Sequence, residues 1–268
     1  MAEAAAEAAA EAATKAAAEA GSEANDRVPV VLAQPCHAGL LAGWADGEVE
    51  PLDALDALGI RVVPEFVTAD EEAALVECLE AGRFTSVGGR ELQNLGGVPP
   101  VLDEGPGMVV EPLPEWLGDV VAALNAAGLY SGEAAVPNHC LANRYPPGTG
   151  IAPHCDGPRF APLVADISLG ADAVMVFSEV ASREIVAEVE LPARSLLVFA
   201  RDAYHKHKHA IASSPTYEGS PTRYSLTLRR VKRVAEAGAA REILYTDEGL
   251  RAARAAKFAH LRLISEKE

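Results

Sequence analysis

From about Val136 onward the apolar and polar residues alternate in short runs separated by Gly, Pro, Asn and Asp. Alternation of period two places one set of side chains on each face of a strand. The pattern predicts strands over residues 139–145, 151–154, 163–169, 174–178, 185–189, 195–200, 206–211 and 223–231. Short strands at such close spacing predict a β-sandwich or barrel, such as a jelly roll. Upstream, residues 60–63 read as a strand closed by Pro64. Thr68-Ala69-Asp70-Glu71 has the form of a capping box, opening a helix through about Ala81. Residues 84–109 are rich in Gly and Pro and read as a long loop, and Pro114 to Leu129 as a second amphipathic helix.

The fold class expected is therefore mainly β with a helical N-terminal extension (α+β). Residues 1–26 are an Ala/Glu tail with almost no large apolar side chain to bury, predicted not to dock. Residues 27–57 read as irregular, 58–135 as a helical and loop extension, 136–231 as the jelly-roll core and 232–268 as a helical tail.

Charge narrows the function. Of 268 residues, 39 are acidic and 23 basic, a formal net charge of −16. The tail 1–26 carries −5 of it, so the body is acidic too. That charge argues against gripping nucleic acid mainly through a basic surface, because phosphate binding needs many Lys and Arg. Cys36, Cys78, Cys140 and Cys155 are scattered with no C-x-x-C pair, which predicts reduced thiols and a cytoplasmic or nuclear location. No apolar run approaches the roughly 18–20 residues that span a bilayer, and the acidic start lacks a secretory pattern, so no membrane partner is expected.

Four constellations carry candidate chemistry. In an extended His154-Cys155-Asp156, residues i and i+2 aim an imidazole and a carboxylate the same way. A third imidazole would complete the two-His, one-carboxylate facial set of non-haem Fe(II) oxygenases, which leaves positions open for cosubstrate and O2. Alone, H-x-D is a common surface pair. The stretch Tyr204-His205-Lys206-His207-Lys208-His209 offers three histidines at spacing two, any of which serves as that third ligand. In Arg223-Tyr224-Ser225-Leu226-Thr227-Leu228-Arg229 alternation sets Arg223, Ser225, Thr227 and Arg229 on one face. Arginine suits the distal carboxylate of a dicarboxylate cosubstrate through bidentate geometry, although an ordinary half-exposed strand reads the same way. Ahead of His154, Asn143 and Tyr145 share a strand face and offer hydrogen bonds to a carboxylate.

The order of these motifs resembles the AlkB-like family of Fe(II)/2-oxoglutarate dioxygenases. The resemblance is carried by CLANRYPPGTGIAPHCDGP, ADISLG, SLLVF, HAI and RYSLTLRRV, while GRELQNLGG and GMVVEPLPEWL are similar to the homologue-6 branch. It covers about residues 58–231. It implies a double-stranded β-helix whose N-terminal extension recognises substrate, with Fe(II), 2-oxoglutarate and O2 as cofactor and cosubstrates. The iron ligands implied are His154, Asp156 and His209, the last because a small residue and Ile follow it in the family pattern. Asn143, Tyr145, Arg223 and Arg229 match 2-oxoglutarate contacts, and Ser225 stands where some relatives carry Asn. The implied activity is oxidation of a C–H bond, with an N-methyl group of nucleic acid or protein as target and demethylation as outcome. The alternative is a jelly-roll adaptor that keeps metal and 2-oxoglutarate with weak catalysis. Two departures concern substrate: Leu95, and Ala161 after Phe160, stand where the branch tends to carry aromatics able to stack on a base. Gln93 and Asn94 serve either as base-edge readers or as loop caps.

Overall fold

The computed structural model describes residues 37–100, 107–133, 135–213 and 220–235. The Ala/Glu tail and the helical tail expected after Ala235 lie outside the described residues. The chain runs α1 (Ala54–Leu58), β1 (Ile60–Val63), α2 (Ala69–Ala81), β2 (Thr85–Val87), β3 (Arg90–Leu95), β4 (Met108–Val109) and α3 (Glu115–Ala126). There follow β5 (His139–Tyr145), β6 (Ile151–His154), β7 (Phe160–Leu169), β8 (Ala173–Glu179), β9 (Ile185–Leu191) and β10 (Leu196–Ala200). The last elements are α4 (Arg201–His205), β11 (His207–Ile211), β12 (Arg223–Val231) and β13 (Val234–Ala235).

A large antiparallel sheet in the order β1-β10-β7-β12-β5-β3-β2 faces a smaller one in the order β6-β11-β8-β9. Two facing sheets with these crossovers form the expected jelly roll. The large sheet is buried on both sides, so its central strands are more continuously apolar than one-sided strands; all five residues of β10 are buried. Its outer face (Cys140, Ala142, Ala165, Ile167, Leu226, Leu228) packs against Leu75 and Leu79 of α2 and Leu117, Val120 and Leu124 of α3. Between the sheets, Leu197, Phe199 and Val164 meet Met175, Phe177, Val189 and Ile211.

Helix α2 starts where the capping box predicts. The Thr68 hydroxyl accepts from the Glu71 amide at 3.2 Å, and the Glu71 carboxylate accepts from the Thr68 amide at 2.6 Å. Its far end is tied to the sheet by Glu80, which accepts from Tyr224 at 2.7 Å and Arg144 at 2.8 Å.

Three expectations are revised. Residues 84–109 are not one loop: Gly88 and Gly89, at φ 61° and 90°, form the turn of the β2–β3 hairpin, which extends the large sheet beside β5. A Gly-Gly pair supplies the two positive φ values that a tight hairpin turn requires. Residues 27–57 are not wholly irregular: Leu41 and Trp44 are buried, and Asp53 caps α1. The packed body therefore begins well before Leu58. The strand expected over residues 206–211 starts at His207, because Arg201–His205 is a short helix.

The pre-strand segment is fixed by one buried carboxylate. Asp56 accepts from the Trp44 indole at 2.8 Å, the Leu52 amide at 3.0 Å and Arg61 Nε at 2.8 Å. Arg61 and Arg201 both lie over the Trp44 ring, 5.4 and 5.2 Å from its centroid. Burial pushes the Asp56 carboxyl up, but Arg61 and the Leu52 and Trp44 N–H donors outweigh it and hold the value at about 2, from an ordinary 3.8. A depressed carboxyl stabilises the fold above its unfolded value and loses that contribution as pH falls through the folded one. Asp56→Asn is expected to cost about 2 kcal/mol at neutral pH. Urea unfolding at several pH values should show the wild-type advantage shrinking between about pH 4 and pH 2.

Candidate active site

The inner side chains of three adjacent strands of the large sheet are mostly polar where their neighbours in β10 are apolar. Register pairs Tyr145 with Arg223, Asn143 with Ser225, Leu141 with Thr227, and His139 with Arg229. On the other side of β12, Ser168 pairs with Ser225 and Asp166 with Thr227. Opposite them, the small sheet presents His154 and His209, which are register partners on β6 and β11. Gly150 makes that pairing possible, since a Cβ there would sit 2.1 Å from the Ile211 carbonyl oxygen.

One ligand atom from each of His154, Asp156 and His209 lies within 4.8 Å of the others. The two rings are 4.3 Å apart between centroids. The His154 Nδ1 faces the Ala152 carbonyl at 2.9 Å, so that nitrogen carries the proton and Nε2 keeps a free lone pair. Burial lowers both imidazoles, His209 to about 4, and leaves them neutral at pH 7. Burial pushes the Asp156 carboxyl up, but Arg229 and the two histidines prevail and its value is lowered. Arg229 donates to Asp156 Oδ1, while Oδ2 is buried without a partner. Two neutral imidazoles and an ionised carboxylate with a spare oxygen fit a ferrous ion.

Of the three histidines offered by the sequence, only His209 joins the cluster. His205 is exposed at the end of α4. His207 is buried but turned to the Asp202 carbonyl, 2.9 Å from its Nδ1.

The two arginines expected to hold cosubstrate differ. Arg229 lies 4.1 Å over the Phe160 ring and is committed to Asp156. Arg223 donates to Ser168 at 2.8 Å and lies 3.4 Å from Asp166, but its Nε and Nη1 are buried and unpartnered. A buried guanidinium with two unmet donors fits an anionic ligand such as the dicarboxylate. Asn143, Tyr145 and Ser225 line the same pocket as the His-Asp-His cluster.

Gln93 and Asn94 are both engaged internally. Gln93 faces the helices and donates to the Leu79 carbonyl at 2.8 Å, capping α2. Asn94 lies 3.1 Å from His139 Nε2. Leu95 packs against the helix-side core, and Phe160 is buried. Sequence reasoning missed Asp166 and Ser168, legible as polar residues at spacing two within an apolar strand. It also missed Tyr204, whose hydroxyl donates to the Gly157 carbonyl at 2.8 Å and fixes the turn after Asp156. Arg90 lines the pocket from the unrecognised hairpin.

Comparison with known proteins agrees with this geometry. A family model described as the 2OG-Fe(II) oxygenase superfamily matches residues 104–229. Over 211 residues the chain is 30% identical to the probable RNA/DNA demethylase ALKBH6 of Danio rerio, spanning 66% of this chain and 88% of that protein. It is also 30% identical over 162 residues to the tRNA (carboxymethyluridine(34)-5-O)-methyltransferase alkbh8 of Xenopus tropicalis, across 57% of this chain but 25% of that one. The solved structure of OsALKBH1 superposes with a TM-score of 0.51 at 19% identity, covering 68% of this chain and 99% of that one.

The ligand assignment is tested by anaerobic calorimetry with Mn(II). His154→Ala and His209→Ala should each weaken metal binding by more than the roughly 10–100-fold typical of losing an outer partner. His207→Ala should retain the metal.

Proposed function

The chain belongs to the AlkB-like family of 2OG-Fe(II) oxygenases and is a 2-oxoglutarate-dependent dioxygenase, and on that premise we propose that it removes an N-methyl group from nucleic acid or protein. One observation carries the dioxygenase chemistry beneath this reading: the buried guanidinium of Arg223, with two unmet donors, faces the same pocket as the His154-Asp156-His209 cluster. When bound, a ferrous ion with 2-oxoglutarate and O2 supplies C–H oxidation, the cosubstrate ending as succinate and CO2.

The chain's own residues do the positioning. His154, Asp156 and His209 hold the ion, and Arg229 neutralises and orients Asp156. Arg223 takes the distal carboxylate of the cosubstrate, since Arg229 is already engaged. Asn143, Tyr145 and Ser225 supply donors along the wall between them. Met175, Phe199 and Ile211 line the pocket's apolar side and exclude water from the reacting carbon. An N-methyl carbon hydroxylated there leaves as formaldehyde.

A methylated nucleic acid is the leading substrate class, supported by the demethylase relative. The acidic charge means that affinity comes from the pocket more than from backbone contacts. Buried Phe160, core-facing Leu95 and Ala161 leave little aromatic surface for stacking a base. The free thiols of Cys78, Cys140 and Cys155 fit a reducing compartment, the cytoplasm or nucleus.

The test is formaldehyde and succinate release, at stated salt, across methylated DNA, RNA and peptides. At least one substrate should give both products. Arg223→Ala should raise the KM for 2-oxoglutarate roughly tenfold to a hundredfold, as expected for an unpaired charged hydrogen bond. Succinate without formaldehyde on every substrate would overturn demethylation, and release of neither product would favour an adaptor that retains the cosubstrate.

A further inference from the structure

Three arginines line the pocket, Arg90, Arg223 and Arg229, together with two aspartates, Asp156 and Asp166. Arg229 is paired with Asp156 and Arg223 with Asp166. Arg90 has no carboxylate partner among the described residues. Its Nε donates to Asn143 Oδ1 at 3.0 Å, leaving both terminal nitrogens without an acceptor among the described residues.

The register explains where that charge sits. Glu91 pairs with Arg144, so the preceding Arg90 arrives beside Tyr145 on β5. On the other edge of β5, Tyr145 pairs with Arg223, whose guanidinium carbon lies 5.2 Å from the phenol ring. One phenol thus stands between two guanidiniums carried by strands on either side. The field of Arg90 reaches both Tyr145 and His154. Its bond to Asn143 also orients that amide, leaving Nδ2 to donate to Ser225 Oγ at 3.3 Å.

We propose that Arg90 is a second guanidinium for the cosubstrate, closing from the β2–β3 hairpin on the distal carboxylate that Arg223 holds from β12. This rests on the 2-oxoglutarate reading above and adds a residue to it. A dicarboxylate between the two arms meets one cation already shared with Asp166 and one that is not, so the unshared charge of Arg90 adds to the hold that Arg223 supplies. It follows that cosubstrate ties the hairpin, an edge of the large sheet, to the catalytic core, and that the two stabilise each other reciprocally.

The experiment is calorimetry on the full chain loaded with Mn(II) under nitrogen. 2-Oxoglutarate is compared with 2-oxopentanoate, the same chain length without the distal carboxylate. Arg90→Gln should weaken 2-oxoglutarate about tenfold while leaving 2-oxopentanoate unchanged, and Arg90→Lys should fall between Arg90→Gln and wild type. Unaltered Mn(II) affinity in both variants reports an intact fold. Hydrogen exchange supplies a second readout: 2-oxoglutarate should slow exchange at residues 85–95 in wild type but not in Arg90→Gln. An unchanged 2-oxoglutarate affinity in Arg90→Gln overturns the proposal. Equal weakening of both ligands overturns it too, since Arg90 would then act only through Asn143. Wild-type protein that binds Mn(II) but neither 2-oxo acid overturns the cosubstrate reading itself, a result distinct from these.

Discussion

The organisation of this protein depends on the central strands of the large sheet being buried on both faces, with a mainly apolar face under the helices and a mainly polar one toward the other sheet. Along β5, β7 and β12 every second side chain packs under the helices, and every other one enters the space between the sheets. On the helix side this sets Cys140, Ala142, Ile167, Leu226 and Leu228 against α2 and α3. On the inner side it sets Asn143, Tyr145, Asp166, Ser168, Arg223, Ser225 and Arg229 where water is scarce. A slip of one residue in β12 would drive Arg223 and Arg229 into the helix-side core and Leu226 into the pocket. The apolar face therefore locks the register that aims the polar one.

Buried polar groups need partners, and those here are met only in part. Asp166 receives Thr227 and Arg223, and Asp156 receives Arg229. Asp156 Oδ2, two nitrogens of Arg223 and Arg229 Nε remain unmatched. Several unmatched groups converging on one pocket mark the places where a metal and an anionic ligand complete the set. Away from the pocket, the buried Asp56 carboxylate is fully engaged by Trp44, Leu52 and Arg61.

Much of this was legible in the chain. Period-two alternation identified the strands of the jelly roll, and the capping box at Thr68 placed the start of α2. The motifs N-x-Y, H-x-D and R-x-S-x-T-x-R marked the pocket in their order. The hairpin at residues 85–95 was missed because glycine reads both as loop filler and as the residue of a tight turn. Only the strands on either side of Gly88 and Gly89 decide between the two. With the hairpin went Arg90. The contribution of Leu41 and Trp44 was missed because scattered Gly and Pro outweighed a few apolar residues whose partners lie far along the chain.

Sequence alone determined the strand faces, since alternation is a local property of the backbone, and it determined the types of side chain available for metal and carboxylate binding. Spacing alone did not choose among His205, His207 and His209, although the family pattern implied His209. Tertiary structure chose by turning residues 201–205 into a helix, giving His207 to the Asp202 carbonyl and setting His209 across from His154. Nor did it separate Arg223 from Arg229, which share one strand face. That difference arises because the turn after β6 brings Asp156 to Arg229, while Ser168 and Asp166 on β7 meet Arg223. Such pairings join residues dozens of positions apart, and they exist only once the two sheets have closed on each other.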